Sequence, residues 1–537
     1  MRKEVRIIFY FLILVYILIP AWIPQILWSL ILVLPIVVVG IRDYFQKKHS
    51  IRRNFPVIGH FRYMLEMIRP EINQYFIESN SDGRPFSREQ RSVVYQRAKK
   101  ERDTVPFGTQ KDVYEIGYEW VNHSIAPFHV KPDMRVRIGG PQCKQPYEAA
   151  LLNISAMSYG ALSSHAVEAL NLGAKKGGFY HNTGEGSCSP YHLKHGGDVV
   201  WQIGTGYFGC RELDGTFSPE KFAKVAAHPH IKMIEIKLSQ GAKPGHGGIL
   251  PASKVTKEIA SMRGVEMGKD VISPPWHTAF STPIEMMKFI KSLRELSGGK
   301  PIGFKLCVGK RREFIALCMA MREAGIQPDF ITVDGGEGGT GAAPLEFSNS
   351  VGCPLTEGLV FVHNALVGFD LRKNIRVIAS GKITTGFDIV SKLSMGADLC
   401  NSARGMMMAI GCIQALRCNS NTCPVGITTN DPELMSGLDV QSKSERVKNF
   451  QFETVKTATE IMGAMGVRHS RELRPFHLMR RVDSLTVKHY GEIFEYLNTG
   501  DLLKANLPKS FERACRSATS HSFMALEDLR TNELNVI

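Results

Sequence analysis

Three cysteines stand close together in the segment CIQALRCNSNTC, which runs from residue 412 to residue 423. They are Cys412, Cys418 and Cys423. The whole chain has 11 cysteines in 537 residues, a density too low for a disulfide scaffold, and their irregular positions indicate reduced thiols. A close group of reduced thiols points to metal or redox chemistry.

The spacing of these thiols favours an iron–sulfur cluster over zinc. Structural zinc usually has four ligands in paired C-x-x-C spacing, and the closest later histidine is His469. Cys423 precedes Pro424, as cluster-binding cysteines often precede a proline. Three ligands instead of four indicate a cluster that lacks one iron. The alternative is that the three are buried packing cysteines, which is the usual role of a lone cysteine but is disfavoured for three in twelve residues.

The elements that position such a site are eight short apolar runs, each followed by a helix-like segment. The runs are ALLNISA, GFYHNTG, VWQIGTG, MIEIKLS, IGFKLC, FITVDGG, RVIASGK and DLCNSAR, between residues 150 and 404. Strands that alternate with helices predict parallel βαβ units, and eight repeats over about 250 residues predict a (β/α)8 barrel. A doubly wound open sheet is the structural alternative, and the third run is the weakest strand prediction.

Polar and glycine-rich segments follow most of these runs. In a (β/α)8 barrel they converge on the face where chemistry occurs, and the loops after runs seven and eight form the usual phosphate site. Any one of these turns alone predicts only a tight connection. The segment GTGYFG, at residues 204–209, matches G-x-G-x-x-G but does not open a helix, so we interpret it as a loop. Without a nicotinamide fingerprint, a redox enzyme of this sequence would exchange electrons with a partner.

The N-terminal segment predicts a membrane anchor. No charged residue occurs from Ile7 to Ile41, and Pro20 and Pro24 divide this run into two short apolar spans. Basic residues flank both ends, which predicts a transmembrane hairpin in the inner membrane with the catalytic domain facing the cytoplasm. The lipid bilayer would then be a partner. A cleaved signal peptide is the alternative, but no A-x-A-like site follows the first span.

The charge distribution gives no reason to expect a nucleic-acid partner. The net charge is +15, of which residues 1–53 contribute +6 through eight Lys or Arg and two acidic residues. The remaining +9 is spread without a basic block, and no nucleic-acid motif occurs. The predicted domains are the anchor at 1–45, a helical N-terminal extension at 46–140, the barrel with the cysteine segment at 141–475, and a C-terminal extension at 476–537.

Several longer motifs carry a family resemblance. They are SAMSYGALS at 155–163, HNTGEG at 181–186, KLSQGAKPGHGG at 237–248, SPPWH at 273–277, DGGEGGTGAAP at 334–344 and GCIQALRCNSNTCPVGITT at 411–429. With these motifs, residues from about 110 to 475 resemble the flavin-binding barrel of the glutamate synthase large subunit, particularly its short, amidotransferase-free branch. The resemblance implies FMN as a cofactor. It also implies a [3Fe–4S] cluster held by Cys412, Cys418 and Cys423.

The resemblance further implies roles for named residues. The FMN-binding residues would be Ser155, Ala156 and Ser158 against the ring, Lys305 at its pyrimidine edge, and Gly381, Lys382, Ser402, Ala403 and Arg404 at the phosphate. A positive charge beside the pyrimidine stabilises anionic reduced flavin. Glu185, Lys237, Gln240 and Lys243 would handle 2-oxoglutarate and ammonia, because a dicarboxylate needs cations.

The chain departs from the family pattern beside the expected substrate. His246 stands where the family usually has Glu, Ser187 replaces a Gly, and DGGEGGTG is three residues longer than the common DGGTG. The chain begins MRKEV and lacks the N-terminal cysteine of the family's glutaminase domain, which predicts that it does not hydrolyse glutamine by itself.

These observations predict an oxidoreductase acting on the CH–NH2 group. Ammonia and 2-oxoglutarate would form 2-iminoglutarate, reduced FMN would convert it to L-glutamate, and an external protein would supply electrons through the cluster. The alternative is a flavin-dependent dehydrogenase of an amino acid or N-alkylamino acid that passes electrons to quinone or a ferredoxin-like protein. A scaffold that kept only the fold is a third hypothesis, which the intact cysteine segment disfavours.

Overall fold

The structure is a computed structural model that describes residues 28–101 and 104–526, together with residues 7, 10, 11 and 14–18. The chain forms two compact units, Met1–Arg88 and Glu89–Ile537. The predicted domain boundaries at residues 45, 140 and 475 stay predictions.

The second unit contains a closed barrel of eight parallel strands. They are β1 (Leu152–Ile154), β2 (His181–Asn182), β3 (Val199–Ile203), β4 (Ile231–Lys237), β5 (Ile302–Leu306), β6 (Phe330–Asp334), β7 (Arg376–Ser380) and β8 (Leu399–Ser402). Each strand pairs with the next, and β8 pairs with β1. All eight predicted runs, including the third, are barrel strands, so the predicted (β/α)8 fold is confirmed. The open sheet is excluded because closure leaves none of these strands at an edge.

Helices follow each barrel strand. They are Ser164–Gly177, Pro190–Leu193, Pro219–Ala226, Lys257–Arg263, Pro283–Leu296, Arg311–Ala324, Leu345–Ser350, Leu355–Gly368, Gly386–Ser394 and Arg404–Ala409, with a 3-10 turn at Ala252–Lys254. Local sequence explains several of their ends. Thr282 and Glu285 form a capping box at one N-terminus, and Gly178, Gly264 and Gly325 close three C-termini with positive φ.

Further elements surround the barrel. Arg135–Ile138 and Tyr147–Ala150 form one antiparallel ribbon, Ile249–Leu250 and Val271–Ile272 form another, and Glu119–Val121, Leu478–Arg481 and Val487–His489 form a three-stranded sheet. The other helices are Arg88–Lys99, Pro432–Ser436, Val440–Ala464, Tyr490–Ile493 and Lys509–Ser517, with 3-10 turns at Ser470–Glu472, Pro475–His477 and Asp501–Leu503. Val440–Ala464 packs closely on Ser164–Gly177, since a Cβ on Gly173 would lie 2.6 Å from Val447 Cβ.

The first unit contains the helices Leu30–Phe45, Ser50–Asn54 and Gly59–Ile72 and the π-helix Asn73–Ile77. Leu30–Phe45 has 16 residues, which at 1.5 Å per residue is about 24 Å, shorter than a hydrocarbon core of about 30 Å. Its uncharged part ends before Arg42 and Asp43.

The prediction of a membrane anchor needs correction. Among the described residues, no helix has the length and apolar character needed to cross a membrane. Residues 8, 9, 12, 13 and 19 of the first predicted span, and residues 20–27 after it, lie outside the described residues. The predicted transmembrane hairpin and lipid-bilayer partner are therefore unsupported, and the predicted inner-membrane location with a cytoplasmic catalytic domain is wrong.

Candidate active site

The C-terminal ends of β4 and β5 bring two buried lysines side by side. Lys237 and Lys305 are direct partners in the parallel register of these strands. Lys237 Nζ lies 2.8 Å from Glu185 Oε1, and Lys305 Nζ lies 3.8 Å from Asp334 Oδ2. The two cations are thus each matched by a carboxylate from a neighbouring loop or strand end, as buried charges require.

Glu185 is the point where several cations meet. Burial raises the pKa of its carboxyl, but Lys237, Lys243 and Arg263 outweigh burial and hold the pKa below its usual value. Gly248 lies close to this carboxylate, because a Cβ there would lie 2.5 Å from Glu185 Oε1. Glu185 is therefore an ionised carboxylate whose side chain is 20% exposed.

The loop after β4 carries Gln240 and Lys243 into the same region. Lys243 is buried and its Nζ donates a hydrogen bond of 2.8 Å to the carbonyl oxygen of Ala342, in the loop after β6. Burial lowers the pKa of Lys243 to about 8, against the opposing effect of Glu185. Among the described residues, Gln240 Nε2 is a buried donor without a hydrogen-bond partner. An orphaned buried donor of this kind is typical of a ligand site.

The loops after β4 and β6 also touch through their backbones. Asp334 Oδ2 accepts a hydrogen bond of 2.9 Å from the N–H of Gly241. A Cβ on Gly241 would lie 1.6 Å from the carbonyl oxygen of Gly335. Asp334 belongs to the DGGEGGTG motif, but the sequence assigns it no role of its own.

His277 is a second residue to which the sequence assigns no role. Its Nε2 lies 2.9 Å from the carbonyl oxygen of Lys237, and its Nδ1 lies 3.0 Å from the hydroxyl of Tyr207. A carbonyl oxygen can only accept, so Nε2 of the neutral ring carries the proton and Nδ1 accepts. The Tyr207 hydroxyl therefore donates to Nδ1 and itself accepts from the N–H of Ala279. Burial lowers the pKa of His277 to about 4, so the ring is neutral and donates from Nε2 to the end of β4. The motif SPPWH is the sequence signal that contains it.

Arg263 has no motif around it and could not be found from the sequence. It is the last residue of the helix Lys257–Arg263, and its guanidinium is buried. Nη2 donates to the carbonyl oxygen of Tyr159 at 2.8 Å, and the guanidinium carbon lies 5.3 Å from the Phe208 ring centroid. Burial lowers its pKa to about 10 against the attraction of Glu185, so Arg263 remains a cation.

The ends of β1, β7 and β8 collect the residues predicted to bind FMN. Ser155 Oγ lies 3.4 Å from Ser380 Oγ, and its N–H donates to the carbonyl oxygen of Ser402. Ala156 and Ser158 follow on the same loop, and a Cβ on Gly184 would lie 2.9 Å from the Ser158 nitrogen.

The predicted phosphate residues occupy the two adjacent strand ends. Gly381 and Lys382 follow β7, while Ser402, Ala403 and Arg404 end β8 and begin the next helix. The Ser402 hydroxyl donates to the carbonyl oxygen of Ile383 at 2.7 Å. Within the described part of the chain, the N–H groups of Gly381 and Ala403 donate no hydrogen bond. These two donors fit an anionic group.

The motif DGGEGGTG brings a carboxylate to this end of the barrel. Glu337 Oε2 accepts a hydrogen bond of 2.9 Å from the N–H of Leu355. A Cβ on Gly381 would lie 3.5 Å from Glu337 Oε1, and Arg404 Nη2 donates to the Glu337 carbonyl oxygen at 2.6 Å. Glu337 therefore places a negative charge against the predicted phosphate loop.

The pKa of Cys412 is affected by the other two cysteines, and the three thiols differ in their surroundings. Burial raises the pKa of Cys412 to about 11, with smaller effects of Cys418 and Cys423. Burial also raises the pKa of Cys423, but the nearby Thr428 hydroxyl and the backbone N–H groups of residues 425, 427 and 428 outweigh it, so this pKa is lowered. The donors around Cys423 favour a thiolate, the form that binds metal.

The cysteine segment is not a closed metal site in this structure. No group of three or more His, Cys, Asp or Glu side chains within the described residues has an arrangement that could hold a metal ion. Gln414, Leu416 and Asn421 have positive φ, an uncommon conformation for residues with side chains. The donor chemistry fits an iron–sulfur cluster, and the backbone between the thiols is held in a constrained shape.

Comparisons with known proteins agree with this barrel and its motifs. Residues 90–468 match the conserved region in glutamate synthase. The glutamate synthase large subunit-like protein YerD of Bacillus subtilis is 39% identical over 495 residues, which cover 84% of this chain and 94% of YerD. The archaeal NADPH glutamate synthase of Methanocaldococcus jannaschii is 35% identical over 323 residues, or 60% of each chain. This chain thus spans less than two thirds of that archaeal relative.

Two further similarities involve a much longer glutamate synthase and a solved flavoprotein structure. The NADH glutamate synthase of Saccharomyces cerevisiae is 33% identical over 366 residues, which cover 67% of this chain and 16% of the yeast protein. Among solved structures, a mutant flavocytochrome b2 with benzoylformate is 14% identical, covers 85% of this chain and 97% of its own, and has a TM-score of 0.43, too low to carry an argument.

The family match covers most of the chain, and its members are oxidoreductases acting on CH–NH2 donors, so the predicted enzyme class is confirmed. The chain belongs to the glutamate synthase family.

Proposed function

We propose that this enzyme reductively aminates 2-oxoglutarate with ammonia to L-glutamate. The observation that carries the proposal is the group of Glu185, Lys237, Lys243 and Arg263 at the C-terminal face of a barrel that belongs to the glutamate synthase family. Two carboxylates of one substrate require more than one cation, and this group holds three cations around one carboxylate. On the loop that carries Lys243, Gln240 Nε2 is a buried donor without a hydrogen-bond partner among the described residues.

Lys243 is the residue best suited to move a proton. Addition of ammonia to the 2-oxo carbon gives a carbinolamine, which loses water to become 2-iminoglutarate when an acid protonates the leaving hydroxyl. Lys243 Nζ has a pKa lowered to about 8, so near neutral pH it is a stronger acid than an ordinary lysine. Glu185, held ionised, attracts the ammonium of Lys243 and would stabilise a cationic imine electrostatically.

FMN, when bound, supplies two electrons as hydride to the imine carbon. Lys305 would stand at the pyrimidine edge, where its charge favours the reduced flavin. Ser155, Ala156 and Ser158 would line the ring, and the phosphate would take the Gly381, Lys382, Ser402, Ala403 and Arg404 loops. The unused N–H groups of Gly381 and Ala403 support this assignment.

Cys412, Cys418 and Cys423 would hold a [3Fe–4S] cluster through which an external protein delivers electrons. The donors around the Cys423 thiol support a thiolate there. The positive φ values of Gln414, Leu416 and Asn421 support it too, because such a backbone persists only where surrounding interactions maintain it.

A second candidate is the oxidation of an amino acid or N-alkylamino acid, with electrons leaving to quinone or a ferredoxin-like protein. One observation favours it. His246, which replaces the family's usual Glu and lies on the loop that carries Lys243, packs edge-on against Phe347 of the helix Leu345–Ser350 at a centroid distance of 5.3 Å. An aromatic pair next to the substrate loop suits an alkylated amine better than ammonia.

The experiment is anaerobic purification with flavin and iron analysis, followed by stopped-flow mixing of the reduced enzyme. We expect rapid flavin reoxidation by 2-oxoglutarate plus ammonia and slow reoxidation by either alone or by other 2-oxo acids. If 2-oxoglutarate plus ammonia does not increase the rate of flavin reoxidation, the glutamate-forming proposal is wrong. Reduction of the oxidised enzyme by amino or N-alkylamino acids would then favour the second candidate.

A further inference from the structure

Three separate segments of the chain meet at the side chain of Lys254. This lysine lies in the 3-10 turn Ala252–Lys254 within the long connection from β4 to β5, and only 1% of it is exposed. Its Nζ donates hydrogen bonds of 3.0 Å to the carbonyl oxygen of Ala161 and of 2.7 Å to that of Thr428. Ala161 belongs to the loop after β1, and Thr428 follows the last cysteine of the 412–423 segment.

Polar side chains around Lys254 join the same three segments. Asn430 Nδ2 donates to the carbonyl oxygens of Gly160 at 3.1 Å and of Lys254 itself at 2.9 Å. Asn421 Nδ2 donates to the carbonyl oxygen of Ser253 at 3.1 Å, and its Oδ1 accepts from the N–H of Asn430 at 2.8 Å. Two asparagines therefore tie the cysteine segment to the residues beside Lys254.

Two of the three thiols also act on the ammonium of Lys254. Cys418 and Cys423 raise its pKa electrostatically, against the effect of burial, which lowers it to about 8. A buried cation is normally matched by a carboxylate, but here the hydrogen-bond partners are two backbone carbonyl oxygens. Sulfur ligands of an iron–sulfur cluster carry negative charge, so a cation at this position is matched when the thiols are bound as thiolates.

We propose that Lys254 is a positioning residue that fixes the cysteine segment against the β1 and β4 loops and raises the reduction potential of the cluster. The proposal rests on the cluster assignment in the proposed function. Reduction adds one negative charge to a cluster, and a cation held inside the protein stabilises the reduced form more than the oxidised form. The same connection carries Lys243 and Arg263, so Lys254 links the substrate loop to the electron entry point.

The chain offers a matched control. Lys300 is also buried, at 7% exposure, and its Nζ also donates to two backbone carbonyl oxygens, those of Ala226 at 2.6 Å and His228 at 3.0 Å. It precedes β5 and therefore lies at the opposite end of the barrel from the cysteines. Replacing either lysine removes the same kind of anchor, but the thiols act electrostatically on Lys254 and not on Lys300.

The test compares Lys254→Met, Lys254→Gln, Lys254→Arg and Lys300→Met in the full chain. Potentials are measured by redox titration followed by electron paramagnetic resonance, with iron content determined in parallel. We expect Lys254→Met and Lys254→Gln to lower the equilibrium constant for one-electron reduction of the cluster at least tenfold, a shift of about 59 mV. Lys254→Arg, which keeps the charge, should stay closer to wild type than either, and Lys300→Met should keep the wild-type potential.

A second measurement does not depend on the cluster. Hydrogen exchange of iron-free protein should be faster at residues 421–430 in both uncharged Lys254 variants and unchanged there in Lys300→Met. Wild-type potentials in Lys254→Gln would overturn the electrostatic role, and unchanged exchange in both variants would overturn the positioning role. A wild-type protein that binds no iron would instead refute the cluster assignment, while the exchange measurement still tests Lys254.

Discussion

At the scale of single residues, the candidate site is an arrangement of buried lysines that each have a defined partner. Lys237 is paired with Glu185, Lys305 lies near Asp334, and Lys243 donates to Ala342. These contacts differ in strength and in the loop they involve, so the three cations should not be interchangeable.

Replacement of Lys243 and of Lys305 should therefore have different effects. Lys243→Ala removes the proposed proton donor and also one of the three cations proposed to bind the substrate carboxylates. A charge–carboxylate interaction is worth about 2 to 4 kcal/mol, so apparent 2-oxoglutarate affinity should fall roughly 30- to 1000-fold, reoxidation at saturating 2-oxoglutarate plus ammonia should also be slower, and the flavin potential should change little. Lys305→Ala should lower the flavin potential and slow its reduction even without substrate. Spectral titrations with dithionite, with and without 2-oxoglutarate, separate the two effects. Equal effects of both variants on both quantities would contradict the assignment.

Glu337 provides a test of the phosphate loop. Because its carboxylate lies against Gly381, Glu337→Gln should remove a repulsion of about 1 kcal/mol and tighten FMN binding roughly fivefold. Glutamine can still accept the hydrogen bond from the N–H of Leu355. Equilibrium dialysis of FMN against flavin-free protein measures the effect.

The control for this change is Glu357→Gln. Glu357 lies in the first turn of the helix Leu355–Gly368, whose first N–H donates to Glu337. Glu357→Gln removes an equal charge near the N-terminus of this helix and should leave FMN affinity within about twofold of wild type. Weaker FMN binding in Glu337→Gln would indicate that the phosphate lies elsewhere.

Sequence motifs predict the residues that short segments contain and miss those that the fold brings in from far away. Glu185, Lys237, Gln240 and Lys243 occur in glycine-rich motifs after barrel strands, and the structure brings Glu185, Lys237 and Lys243 together. Arg263 and Lys254 lie in ordinary-looking helical turns, and nothing in their neighbours indicates that they are buried near the site. Their roles depend on tertiary contacts, with Tyr159 for one and Ala161 and Thr428 for the other.

At the scale of elements, the long connection between β4 and β5 organises the face of the barrel. It carries the substrate-loop lysine, the buried arginine and the histidine that donates to the carbonyl of Lys237. The sequence predicts the strands on both sides of this connection, because apolar runs bounded by glycine are strong signals. It does not predict the path of the connection, which depends on backbone contacts such as that between Gly241 and Gly335.

Gly241→Ala should disrupt this contact, since its new Cβ would lie 1.6 Å from a backbone oxygen that cannot rotate away. We expect loss of bound flavin and a lower midpoint of thermal unfolding. Gly309→Ala is the matched control, because a Cβ there would meet nothing within 4 Å. Retention of flavin and of the wild-type midpoint in Gly241→Ala would mean that the two loops separate without cost.

At the scale of the whole molecule, the sequence predicts the barrel correctly and the N-terminal segment incorrectly. Eight regularly spaced strands leave few topologies, whereas the apolar composition of residues 7–41 does not predict the length of a helix. The described helix Leu30–Phe45 includes two charged residues in its last turn.

Stability of the whole molecule should fall in mild acid because of buried histidines. Burial lowers the pKa of His192, His277 and His363 to about 4 from an ordinary 6.5. Between these values the unfolded chain binds protons that the folded chain does not, so the free energy of unfolding decreases as pH falls from 6.5 to 4, by at most about 3 kcal/mol per histidine. Denaturant unfolding at several pH values measures the slope.

A variant of one histidine tests the cause of that slope. His363→Gln should be less sensitive to pH than wild type in this range, because it removes one group that protonates on unfolding. His123→Gln, at an exposed position, should keep the wild-type dependence. A wild-type stability that is constant from pH 6.5 to pH 4 would contradict the prediction.

The backbone contact between Gly241 and Gly335 has a consequence for loop grafting. Exchange of either loop alone between this barrel and another would leave one backbone shaped for a partner that is no longer there, and any side chain introduced at position 241 would strike it. Transfer of both loops together keeps the Gly241–Asp334 and Lys243–Ala342 hydrogen bonds within the transplanted part. For design purposes the loops after β4 and β6 are a single module, and new substrate specificity should be moved between barrels as that pair.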